Sequence, residues 1–170
     1  MLALGIDPGT ATTGFALVRQ DDSEPELIAS GVIRTDPDEP LAARLQSIYR
    51  EVLALARQYQ PDTAAVEEVF FRRNVRTALA VGHARGVVLL GLADAGVRVY
   101  EYTPSTVKQA VTGYGNADKH QMQEMVRLLL HLPDILRPDD VADAAAIALC
   151  HLQNMRFDGA LHQAGSLRET

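Results

Sequence analysis

Residues 2–18 read LALGIDPGTATTGFALV. Two apolar runs, LALGI and GFALV, flank an Asp-Pro-Gly-Thr segment whose residues are turn formers, so the stretch predicts two strands joined by a short turn. Asp7 stands where the first apolar run stops. A further apolar run, LIASGVI, follows the acidic segment DDSEPE and predicts a third strand, all within the first 35 residues. From Pro40 to Gln60 the apolar residues Leu41, Leu45, Ile48, Val52 and Leu55 recur at spacings of three and four. That is the period of an amphipathic helix, with Pro40 at its first turn.

Beyond the helix, the run from Asp62 to Phe70 predicts a short apolar strand, and Asn74 is a suitable N-cap for a long helix ending at Ala95 before Gly96. Val97 to Tyr102 predicts another strand and Pro104 opens a short helix. GYGNA is a loop, Asp118 caps a helix to His131, and residues 139–156 form the last helix. Three strands joined by short turns pair antiparallel, whereas strands separated by helices add in parallel. The expected fold is therefore α/β: a mixed five-stranded sheet, three strands antiparallel and the later ones parallel, with helices on both faces. Residues 1–157 make one domain, and 158–170 are expected to be a flexible tail.

Bulk properties agree and exclude several classes. At 170 residues the chain is one domain in length, too short for a two-domain kinase or a (β/α)₈ barrel of about 250 residues. The single cysteine, Cys150, forms no internal bridge, which points to a reducing, cytoplasmic setting. Asp7 and Pro8 interrupt the N-terminal apolar run, so it does not read as a signal peptide. The net charge of −6 argues against a nucleic-acid partner until its distribution is read. Residues 21–40 carry seven acids and one base, and the remainder is neutral. Within it, residues 69–127 hold eight bases against four acids, a basic region compatible with a phosphate backbone.

Four carboxylates carry the chemistry. Asp7 ends the first strand, Glu67 sits inside the apolar strand AAVEEVF, and Asp140 and Asp143 lie three apart near the start of the last helix, on one face. Asp7 also makes good turn chemistry, and Asp139 and Asp140 also suit a helix start. An acid within a short apolar strand requires a partner or a metal. Carboxylates gathered without cysteine or histidine favour hard divalent cations, Mg²⁺ or Mn²⁺. Two such ions about 3.5–4 Å apart can clamp the attacking and leaving oxygens of a phosphodiester. The five histidines, His83, His120, His131, His151 and His162, show no zinc spacing.

The stretches GIDPGTATTGFA (5–16), VEEVFF (66–71), GHARG (82–86), TPSTVKQAVTGYGNADK (103–119) and DDVADAAAIALCH (139–151) together resemble the RuvC family of Holliday-junction resolvases. The resemblance implies a ribonuclease H-like fold and a homodimeric endonuclease of recombination and repair. It resolves four-way junctions beside a branch-migration complex. It places the family's metal ligands on Asp7, Glu67, Asp140 and Asp143. Glu68 points to the other face of the strand from Glu67. Asp139 also shares a face with Asp143, but the family's spacing of three selects Asp140. Lys108 and Lys119, the only lysines in the chain, match positions that contact or stabilise the scissile-strand phosphate. Phe70 matches an aromatic wedge at the opened junction, and Arg72, Arg73 and Arg76 follow it as phosphate contacts.

The implied mechanism uses two divalent cations. Asp7 with Asp140 and Asp143 would hold one beside the attacking water, and Asp7 with Glu67 the other beside the 3′-oxygen leaving group, leaving a 5′-phosphate. Lys119 would support the charged transition state. Gly14 leaves room beside Asp7. Three rival readings exist: a phosphotransferase built on an Asp-x-Gly-x-Thr turn, a non-catalytic junction-binding module, and a related nuclease acting on RNA. The first needs two such lobes around a nucleotide. The second is disfavoured because carboxylates facing phosphate weaken simple binding.

Overall fold

A computed structural model describes residues 1–21, 24–68 and 75–166, without the side chains of 75–77 and 157–166. Its elements are β1 (Leu2–Asp7), β2 (Thr12–Arg19), β3 (Glu26–Arg34), α1 (Leu41–Tyr59), β4 (Thr63–Glu67), α2 (Val75–Asp94), β5 (Arg98–Tyr102), α3 (Pro104–Thr112), α4 (Lys119–Leu129) and α5 (Asp139–Ser166). The five strands form one sheet in the order β3-β2-β1-β4-β5. β1, β2 and β3 pair antiparallel, and β4 and β5 add in parallel, as the connection lengths require.

The sheet is buried on both faces, and the strand period of two sorts its side chains. Leu4, Ile6, Leu17, Ala64 and Val66 pack under α1 and α2 against Ile48, Val52, Ala84, Val88 and Leu92. Ala3, Ala16, Val18 and Ala65 face α5, with α3 and α4 completing that layer through Val107, Val111, Met122 and Val126. Residues 144–152 of α5 are all buried, so this helix is enclosed between the sheet and the outer helices. His151 is wholly buried there, its Nδ1 and Nε2 each 2.8 Å from the Tyr102 hydroxyl and Thr63 Oγ1. Burial pushes its pKa down to about 4, so the imidazole is neutral near pH 7. It is a satisfied core residue.

Local chemistry sets the helix ends. Thr103 accepts a hydrogen bond from the Thr106 amide with Pro104 at the first helical position of α3, and Gly113 closes that helix at φ 73°. Asp118 and Gln121 form a reciprocal capping box on α4. Three expectations are corrected. β4 stops at Glu67, and residues 69–74 lie outside the described residues. Pro40 is the N-cap of α1, not part of its first turn. The last helix does not end at 156 but runs to Ser166. A lone interior glycine such as Gly159 costs about 1 kcal/mol, too little to stop a helix already propagating.

Candidate active site

Parallel pairing decides where the first two carboxylates go. Gly5 pairs with Ala65 and Ile6 with Val66, so the next residues, Asp7 and Glu67, end adjacent strands at one level. Both belong to the sheet face that carries Ala3 and Ala65, the face covered by α5. Glu67 is thus the last residue of its strand and not the interior one expected, which leaves it buried from the side but open at the sheet's end.

The helix brings the remaining acids because two glycines let it lie on the backbone. A Cβ at Gly5 would stand 2.1 Å from the Ala144 carbonyl oxygen, and one at Gly14 would stand 2.0 Å from that of Asp140. Gly14 is the residue paired with Asp7 across the β1–β2 ladder. The room expected beside Asp7 is therefore taken up by the first turn of α5. Thr13, wholly buried, braces the turn from the other side, its hydroxyl donating to the Gly9 carbonyl at 2.8 Å. Arg44 of α1 donates to the Thr10 carbonyl at 2.7 Å and to Thr35 Oγ1 at 2.9 Å.

Asp7, Glu67, Asp143, Lys108 and Lys119 line one cavity of about 220 Å³, walled otherwise by Pro104, Val107, Met122 and Ala146. Burial raises the Asp7 carboxyl to about 7, and the charges of Asp143, Glu67 and Asp140 push the same way against Lys119. Glu67 is likewise raised to about 7, by burial and then by Asp143, with Lys108 opposing. Burial also raises Asp143, partly offset by Lys119. Such acids are desolvated and crowded by like charge.

Asp140 is near enough for its charge to act on Asp7, but it is not among the cavity's lining residues. Asp139 turns to Lys119 and Gln123. Among the described residues no three His, Cys, Asp or Glu side chains converge closely enough to enclose a cation. The donor set still suits one: several acceptor-only carboxylates repel one another in a partly desolvated cleft, and hard divalent ions take oxygen ligands. Phe70, Arg72 and Arg73 lie outside the described residues. Arg76 belongs to the first turn of α2, and its side chain is likewise outside that description. Gln123, Arg44 and Thr13 were not anticipated. The spacing of Lys119 and Gln123, one helical turn apart, was the available signal for the first of them.

The model of the crossover junction endodeoxyribonuclease RuvC family matches residues 3–151. The chain belongs to the RuvC family. Its relatives include the RuvC of Desulforamulus reducens, 54% identical over 90% of this chain and 94% of that one. The RuvC of Chloroflexus aggregans is 58% identical over 89% and 92%. Among solved structures, T. thermophilus RuvC in complex with a Holliday junction substrate superposes with a TM-score of 0.88. It is 40% identical and covers 93% of this chain and 96% of that one. The mixed five-stranded α/β sheet expected from element order and the ribonuclease H-like fold implied by the resemblance are therefore the fold observed. No described helix is long and apolar enough to cross a membrane.

Proposed function

We propose that this chain is a structure-selective endonuclease that resolves four-way DNA junctions by metal-dependent phosphodiester hydrolysis, in recombination and repair. The observation that carries the reading is the meeting of Asp7, Glu67 and Asp143 with both lysines of the chain in one cavity, at the end of the sheet where α5 begins. Membership of an endodeoxyribonuclease family supports the substrate class. The four acids favour a nuclease over a junction-binding module, since buried carboxylates facing phosphate only weaken simple binding.

Asp7, Glu67, Asp140 and Asp143 would hold divalent cations, Mg²⁺ or Mn²⁺, two per site. When bound, these supply charge for the scissile phosphate and a water activated near neutral pH. The chain's own groups do the rest. Asp7, at the end of the central strand β1, would serve both ligand pairs. Lys119 and Lys108, which both line the cavity, would present ammonium groups to phosphate, and Lys119 would support the negative charge that develops. The apolar wall of Val107, Met122 and Ala146 limits water and strengthens these interactions. Phe70, Arg72, Arg73 and Arg76 are retained as proposed contacts to the opened junction and its phosphates.

Two strands must be cut, and one site cuts one strand, so the working unit is a two-fold homodimer. The solvent face of α2 supports this: Leu79 and Leu90 are 56% and 53% exposed, with Gly82 and Gly86 between them opening onto free space. Family membership supports a branch-migration complex as a further partner and the cytoplasm as the setting. The decisive assay incubates the full chain with Mg²⁺ or Mn²⁺ and compares a synthetic four-way junction with linear duplex. Paired, symmetric nicks bearing 5′-phosphates in the junction alone are expected. Equal cutting of duplex, or cutting undiminished by EDTA, would overturn the reading.

A further inference from the structure

Two side chains one turn apart on α4 grip a single carboxylate on α5. Lys119 Nζ lies 2.9 Å from Asp139 Oδ2, and Gln123 Nε2 donates to Asp139 Oδ1 at 2.9 Å. Residues 119 and 123 share a face of α4, and residues 139 and 143 share a face of α5. Lys119 therefore spans both acids, standing farther from Asp143 Oδ2, at 3.7 Å. The two partners are unlike in setting: Asp143 lines the cavity and Asp139 does not. Both Asp139 oxygens are engaged by α4, whereas the acids whose charges act on Asp7 are Asp143, Glu67 and Asp140.

We propose that Asp139 is a positioning residue for Lys119 and not a metal ligand. It holds the ammonium closer to itself than to Asp143, so that Asp143 is more available to a divalent cation, while Gln123 holds Asp139 in place. The inference rests on the metal-dependent reading above and adds a division of labour between neighbouring aspartates. Removing the charge of Asp139 leaves Asp143 as the remaining carboxylate partner of Lys119 at this corner. The ammonium then becomes the counter-ion of Asp143 and competes with the metal there.

The test measures Mn²⁺ binding to the full chain without DNA, from the free-ion paramagnetic resonance signal. It compares the wild type, D139N, K119M and the double variant. D139N should weaken binding about three- to fivefold, as expected for redirecting one exposed charge. K119M should not weaken it, and the double variant should match K119M within about twofold, because Asp139 acts only through Lys119. A ligand would instead lose about tenfold or more in both backgrounds, and that result overturns the proposal. Equal binding by the wild type and D139N overturns it as well, as does a wild type that takes up no Mn²⁺. Junction cleavage is scored separately. A wild type that binds Mn²⁺ in this pattern yet cuts no junction would count against the nuclease reading and leave the role of Asp139 standing.

Discussion

A carboxylate held at about 7 is a residue-scale conflict between chemistry and stability. For Asp7 and Glu67 the folded-state pKa lies above the ordinary carboxylate value, so protonation favours the fold. Their stabilising contribution is complete below about pH 4 and is lost as pH rises through about 7. His151 acts in the opposite sense. Its lowered pKa favours the folded state above about 6.5 and withdraws that contribution as pH falls toward 4. Comparing variants isolates one acid from this background. In EDTA, Asp7→Asn should gain on the wild type between pH 5 and pH 8, by about 2–3 kcal/mol measured in denaturant melts. A difference that stays flat across that range would show that Asp7 is not raised. The same variant should lose junction cleavage at saturating Mg²⁺ by about a thousandfold or more while still binding junctions in gel shifts. Retained cutting would remove Asp7 from the mechanism.

At the scale of elements, the site is made by α5 lying directly on strand backbone. A Cβ at Gly14 would meet the Asp140 carbonyl oxygen at 2.0 Å, and neither backbone segment can rotate away as a side-chain tip could. Gly14→Ala should therefore cost about 1–3 kcal/mol in thermal or denaturant unfolding, the usual range for overpacking. It should also reduce cleavage by about a hundredfold, because the acids at the start of α5 would shift against Asp7. Gly82→Ala is the contrasting case. Its Cβ meets nothing within 4 Å, so the monomer should gain up to about 1 kcal/mol from helix propensity. Equal destabilisation by the two substitutions would refute the account of α5. The strand-helix order, the opening of α3 at Pro104 and the cap at Asp118 were legible from residue type alone, because capping and periodicity are local. The end of α5 was not, since the layers that enclose its first turns are distant in sequence.

Across the whole molecule, charge and apolar surface are segregated by function. The carboxylate end of the sheet is the proposed substrate side, and the open face of α2, where Leu79 and Leu90 are exposed, is the proposed dimer face. Replacing both leucines by glutamate should convert a dimer to a monomer in sedimentation velocity, with little change in melting at low protein concentration. Paired cutting should give way to single nicks. A monomeric wild type would disprove the use of this face. The chain by itself determined the alternation of strands and helices, the candidate acids and lysines, and the family to which the chain belongs. Those signals lie in spacing and residue type. Only the tertiary structure decided that Glu67 ends its strand level with Asp7, that Gly14 admits the first turn of α5, and that Asp139 turns to Lys119 while Asp143 faces the cavity. Each of these depends on register or on a close approach between segments far apart in sequence, which local periodicity does not encode.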